Sequence, residues 1–206
     1  MMEKYRCSRL LDAPKLLFVA VALLLAVAPA AAATPLEVIK AMNDQVLSIY
    51  QKHKVVNAAV EALVFATIDP VTDYPTIASS AIDQLCTQLA ADQCTSFKET
   101  FTRLLRVFSI KKLGWARAGR FEYLGEKVTG ESAVVRSIAY FNNEQVPLDY
   151  SLSRRGETWV IVNYVVDEID TVKNYRKQFR KFLEKKSVAQ LKQQLEKKIA
   201  SLEAEN

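Results

Sequence analysis

The sequence predicts an α+β fold: helices first, then a curved four-stranded antiparallel sheet, then two closing helices. Three observations predict it. Apolar residues recur at helical spacing from Pro35 to about Lys112. From Arg120 to Val166 the period drops to two, with turn residues between short runs. From Asp170 onward the helical period returns. Strands gathered in one block, with helices on either side, make segregated layers and not alternating βαβ units.

In the leading block, Pro35 suits a first helical turn, and Leu36, Ile39, Val46, Ile49 and Tyr50 follow at helix spacing. Asn57 opens a second helix in which Val60, Leu63 and Val64 share a face. Asp69-Pro70 and Asp73-Tyr74-Pro75 interrupt it, because the residue before a proline is pushed out of the helical region. A short helix over 76–89 should then turn Ile77, Ile82, Leu85 and Leu89 inward. Ser96 and Glu99 read as a capping box opening a further helix, with Phe97, Phe101, Leu104, Leu105 and Phe108 as its apolar stripe.

Four strands are expected over 120–128, 132–141, 146–154 and 158–166, separated by turn signals at Thr129-Gly130, Asn142-Asn143 and Arg155-Gly156. Such short connections make an antiparallel meander. Asp170 then caps a helix whose Val172, Tyr175, Phe179, Phe182 and Leu183 form a stripe. A last helix from Ser187 directs Val188, Leu191, Leu195, Ile199 and Leu202 inward.

Ahead of these elements, residues 16–33 read LLFVAVALLLAVAPAAAA after a basic lead-in of Lys4, Arg6, Arg9 and Lys15. A basic region, an apolar core and a small-residue exit, in that order, mark a secretory signal peptide. Ala31 and Ala33 supply the A-x-A pattern, which places cleavage just before Thr34 and divides the chain into a leader, 1–33, and one domain, 34–206. An uncleaved anchor is the alternative, since the apolar run approaches the length of a span. Pro29 and the weakly apolar alanines argue against it, and Cys7 precedes the apolar core, so it is no lipoprotein cysteine.

Without the leader's four basic and two acidic groups the formal charge falls from +5 to +3, too little to point to nucleic acid. Export would put Cys86 and Cys94 in an oxidising space, where a disulfide joining two helix ends competes with two free, buried thiols. With His53 the sole histidine and no second cysteine pair, no metal site is expected.

Catalysis is not expected either. His53 falls at the end of a polar-flanked helix, as a surface or capping residue would. No G-x-S-x-G elbow or phosphate-cradling glycine loop is present. Asp167, Glu168 and Asp170 cluster at a strand-to-helix junction, where helix capping accounts for them. What remains is large apolar surface on both sides of one space: Phe101, Leu105 and Phe108 from one helix, Tyr140, Leu148, Tyr150, Trp159 and Ile161 from the sheet, Tyr175 and Phe179 from the next helix. Either these residues fill an ordinary core or a curved sheet and its helices enclose an apolar cavity between them. Periodicity does not separate the two.

Four features together resemble the MlaC family, the toluene-tolerance auxiliary proteins of ABC transporters. Phe97, Phe101, Leu104 and Leu105 are similar to its F-x-x-x-F-x-x-L-L helix, and Trp159 to Val166 to its W-x-V-x-D-V-x-V strand. Asn174-Tyr175-Arg176-Lys177-Gln178-Phe179 resembles N-Y-R-x-Q-F, and a closing helix with Leu191 and Leu195 follows. Two stretches depart: Glu168-Ile169-Asp170 stands where the family often has Gly-Val-Ser, and Leu85-Cys86-Thr87-Gln88-Leu89 replaces its L-G-x-x-W.

The resemblance implies an NTF2-like domain, monomeric and without cofactor, acting in the periplasm as a carrier of glycerophospholipid. It implies a route between an outer-membrane lipoprotein complex and an inner-membrane ABC transporter with its MCE-domain partner, which sustains lipid asymmetry of the outer membrane. Acyl tails would lie against the ten apolar residues named above. Arg176 and Arg180, one turn apart, would meet phosphate or an acidic partner. Two alternatives stay open. One is an exported adaptor with a solid core, using the helix of Lys192, Lys197 and Lys198 to bind protein. The other is a carrier of a different apolar molecule, such as a hopanoid or a quinone.

Overall fold

Thr34 begins the first helix by a reciprocal cap: its hydroxyl accepts from the Glu37 amide, and its own amide donates to the Glu37 carboxylate. In the computed structural model, which describes residues 32–53, 55–113, 119–141 and 144–204, that helix is α1, Pro35–Lys52. Of the predicted leader, 1–33, all but Ala32 and Ala33 lies outside the described residues, as does the predicted Asn142-Asn143 turn. None of the described helices is long and apolar enough to cross a membrane.

Asn57 caps α2, Ala58–Ile68, by accepting from the Ala59 and Val60 amides. Val60 and Val64 are buried, whereas Leu63 is 48% exposed, so it does not share their face. One 3₁₀ turn, Asp69–Val71, takes up Pro70, and Asp73 caps α3, Tyr74–Cys86, whose first turn accommodates Pro75. Here α3 ends three residues earlier than its pattern suggests, because Gln88 and Leu89 bond back to Leu85 and Cys86 in tight i→i+3 turns.

The following helix, α4, runs over Ala91–Leu113 and so begins five residues before Ser96. Nothing in Ala91–Thr95 breaks a helix, and the Cys94 amide already bonds to Ala90. Ser96 therefore sits inside the helix, and its hydroxyl accepts from Lys192 instead of capping.

The strands are β1, Arg120–Thr129; β2, Ser132–Phe141; β3, Glu144–Arg155; β4, Thr158–Val166; and β5, Ile169–Asp170. They form one antiparallel sheet in sequence order. The fifth strand was not expected. It exists because Asp167 and Glu168, at φ 49° and 63°, make a tight left-handed turn that folds Ile169 back onto Val166. These two carboxylate residues are turn residues, and Asp170 alone caps α5, Thr171–Leu183. The last helix, α6, is Val188–Ala204, opened by a reciprocal pair between Ser187 and Gln190.

Two bulges curve the sheet. On β1, Leu124 has no partner between the Tyr123–Ser137 and Gly125–Arg136 pairs; on β4, Val162 has none between Ile161 and Asn163. A bulge adds local twist and reverses which residues face inward beyond it. Helices α1, α3 and α5 cover the concave face, while α4 packs on α3 and α6 behind them. The buried residues from Ile39 to Leu202 form one continuous core.

Candidate functional site: the concave face of the sheet and its covering helices

Along β2 the residues that face the helices are Ala133, Val135 and Ser137; along β3 they are Leu148, Tyr150 and Leu152. Trp159 and Ile161 continue this face on β4. Beyond the Val162 bulge the alternation switches, so Tyr164 pairs with Tyr150 on the inner face. Their rings meet edge-on at 5.9 Å. Strict alternation from Ile161 would have sent Tyr164 outward, which is why the sequence did not offer it as a site residue.

A second apolar group lies between α4 and α5. Phe101 touches Tyr175 and Phe179, both with ring centroids 4.9 Å away, and Phe97 meets Phe179 at 5.6 Å. Leu105 is buried and Phe108 half-buried further along α4. Nine of the ten predicted residues thus belong to one apolar interior.

Tyr140 does not. Its register places it opposite Arg120 and Gln145, on the convex face with Val134 and Arg136. There its hydroxyl donates to Glu122, and the Arg120 guanidinium lies 3.8 Å from its ring centroid.

Polar groups cross this interior at a few defined points. Asn43, on α1 and 1% exposed, donates to the Tyr123 hydroxyl and accepts from the Tyr150 hydroxyl, each at 3.2 Å. Tyr164 and Thr72 share a bond of 3.2 Å, and Tyr74 reaches Ser109 at 2.9 Å. Burial raises the pKa of every one of these phenols: Tyr74 and Tyr123 are each pushed up to about 12, and Tyr150 and Tyr164 well above their usual value. All therefore stay neutral at physiological pH, and the face presents hydroxyl groups without charge. Asn43 was not singled out from the sequence, although 39, 43, 46 and 50 are one helical stripe in which a polar residue asks for a partner.

Ionic groups surround the interior instead of entering it. Arg106 of α4 grips both oxygens of Asp69 and lies 3.7 Å from the Phe65 ring centroid. Arg176 bonds to the Ser80 carbonyl and reaches Asp83 at 3.9 Å, so it clamps α5 to α3; its buried Nε has no partner among the described residues. Arg180, one helical turn further along α5, is exposed. His53 is the exposed C-cap of α1.

Cys86 and Cys94 are joined, with Cα atoms 5.2 Å apart, tying the last residue of α3 to the first turn of α4. A shallow pocket of about 150 Å³ opens between α4 and α6, where Arg103 and Glu203 pair across it.

The MlaC protein family model matches residues 40–197, from α1 to α6. The chain belongs to the MlaC family. The fold is also similar to a solved structure of a phospholipid-binding protein from Ralstonia solanacearum in complex with a phospholipid. The two chains are 23% identical, with a TM-score of 0.69 over 80% of this chain and 96% of that one. A comparison with curated protein sequences gives no match. Within α5, the Asn174–Phe179 stretch spans both faces of the helix: Tyr175 and Phe179 face the aromatic group, Arg176 faces α3, and Asn174 and Gln178 face solvent.

Proposed function

We propose that this protein is a periplasmic phospholipid carrier that performs no chemistry on its cargo. A phospholipid in water exposes acyl chains at a cost of ~0.8 kcal/mol per methylene, so crossing an aqueous space needs an apolar sheath. The single observation that carries this reading is the continuous apolar interior between a curved sheet and its helices, in a chain of the MlaC family. The Ralstonia solanacearum protein of the same fold binds a phospholipid, which supports it. The export-type leader supports the location. In this reading the donors and acceptors are an outer-membrane lipoprotein complex and an inner-membrane ABC transporter with an MCE-domain partner, and this protein shuttles between them.

The geometry sets a condition on how cargo enters. Tyr150 and Ile161 are 1% and 0% exposed, and Phe101 is 0% exposed. Sites for apolar ligands commonly enclose ~300–1,000 Å³. Tails that lie along these side chains must therefore part the helices from the sheet. At the seam between α1 and the sheet, Asn43 makes two neutral hydrogen bonds and the Leu36 amide donates to the Glu126 carboxylate, so opening there would break few polar contacts. Half-buried Leu148, Tyr164 and Tyr175 lie where the opened interior would meet solvent.

That same coverage favours one competing reading, an exported adaptor whose core is solid. Native mass spectrometry of protein purified from a periplasm without detergent decides between them. An adduct of phospholipid mass that disappears on organic extraction supports the carrier and identifies its cargo, including any hopanoid or quinone. A bare mass, together with no uptake from labelled vesicles, supports the adaptor.

A further inference from the structure

The charge of this protein is concentrated on one helix. From Thr171 to Lys186, α5 and the turn after it, there are seven Lys and Arg against one acid, Glu184, a net charge of +6. From Thr34 to Asp170 the balance is fourteen basic to seventeen acidic residues, a net charge of −3. The C-terminal segment after Lys186, including α6, is balanced, with three of each sign. The basic excess of the C-terminal third thus belongs to α5 and not to the leucine-seamed α6.

The structure fixes where those cations point. Val172, Tyr175, Phe179 and Phe182 turn toward the core, and Arg176 is spent on α3. Lys177, Arg180, Lys181 and Lys185 are exposed and, among the described residues, no carboxylate pairs with any of them. Lys177 lies three and four residues before Arg180 and Lys181, and Lys185 four after Lys181, which puts them on one outward stripe. Interleaved with them are Asn174, Gln178 and Glu184, with no exposed aromatic or aliphatic side chain. Protein interfaces draw their affinity from buried anchors, which this stripe lacks. Flexible, unpaired cations of one sign, with no groove, match a diffuse negative surface.

We propose that the outward face of α5 docks this protein on anionic phospholipid bilayers by charge alone, without insertion. Each basic group near such a surface strengthens binding about fivefold, and the attraction fades beyond a Debye length. The arrangement goes beyond the carrier reading, because it needs no cargo to operate. Within that reading, it would hold the apolar interior beneath α5 against a donor or acceptor membrane.

The test is sedimentation of the mature protein, Thr34 onward, with phosphatidylcholine vesicles, plain or containing about 30 mol% phosphatidylglycerol. Binding is expected on the anionic vesicles alone and should be abolished on raising salt from about 50 mM to 500 mM. Lys177→Gln with Lys181→Gln should weaken it about 25-fold, while the charge-matched pair Lys197→Gln with Lys198→Gln on α6 should change it less than threefold. Lys177→Arg with Lys181→Arg should retain full binding, which separates charge from fold should the glutamine pair melt early. No binding to anionic vesicles, equal binding to plain ones, or equal losses from the two helices would overturn the proposal. So would capture of an acidic polypeptide such as polyglutamate by this face with vesicles ignored. Extracting the pelleted protein and weighing its lipid reports on cargo separately, so a failure of docking and a failure of the carrier reading give different results.

Discussion

Replacing Asn43 tests whether α1 is held to the sheet as the structure describes. Asn43 is buried between two phenols, and Tyr150 has its hydroxyl bonded to the Asn43 side chain in a fully covered position. Asn43→Leu removes two neutral hydrogen bonds, each worth ~0.5–1.5 kcal/mol, and strands the Tyr150 hydroxyl at a cost of ~1–3 kcal/mol. Tyr123 is half-buried and can turn to water, which discounts its share. The expected loss is about 3 kcal/mol, a fall in melting temperature of about 6–12 °C for a domain of this size. The assay is urea unfolding of four proteins: the parent, Asn43→Leu, Tyr150→Phe and the double variant. With both polar partners removed, Asn43→Leu should cost only about 1 kcal/mol, giving a coupling of about 2 kcal/mol. An equal cost in both backgrounds would refute the bonded arrangement. Under the carrier reading, Asn43→Leu should also speed lipid release from loaded protein, because α1 then lifts more easily.

The remaining predictions concern the disulfide, the turn, acid stability and the interior. Reduction of Cys86–Cys94, or Cys86→Ser with Cys94→Ser, should lower stability by about 2.5 kcal/mol, read as a shift in the urea midpoint that the double serine variant no longer shows on adding reductant. Glu168→Gly should be neutral or raise stability by up to about 1 kcal/mol, since φ 63° opposes a side chain; Glu168→Val should destabilise in the same melt. At Asp170, burial pushes the carboxyl up, but the Lys173 amide, the Asn163 side chain and the Lys173 charge together hold it below its usual 3.8. A carboxyl lowered on folding stabilises above its unfolded pKa and loses that stabilisation as pH falls through the folded value. Asp170→Asn should keep the cap and flatten the loss of melting temperature below about pH 4. Finally, Tyr164→Ala should reduce phospholipid loading in native mass spectra, whereas Tyr140→Ala, on the convex face, should leave it unchanged; equal effects would undo the division of the two faces.

The local architecture was written in the chain itself. The β2 and β4 boundaries coincide with the turn signals and the period of two, and β1 and β3 differ from expectation by one or two residues at an end. Asn57, Asp170 and Ser187 cap the helices they precede. These features depend on neighbours within a few positions, so spacing and turn chemistry suffice to read them. Ser96-x-x-Glu99 misled for the complementary reason: a capping motif has no force where the chain before it is also helical. The family resemblance was equally legible, because the Trp159 strand and the Asn174–Phe179 helix carry their pattern in sequence order.

Only the tertiary structure decided which side of the sheet each aromatic serves. One unpaired residue, Val162, turns Tyr164 into the interior, and the register of β2 against β1 and β3 puts Tyr140 outside it. It decided that Arg176 binds α3 and that Lys177, Arg180, Lys181 and Lys185 have no ionic partner among the described residues, although all five stand within ten residues of one another. It also brought Asn43 to two tyrosines 80 and 107 positions away. A period of two or 3.6 fixes a residue's face relative to its own element. Which face meets the core, and which distant group satisfies a buried polar atom, follows from bulges, register and the order in which layers stack, and those exist only once the chain has closed on itself.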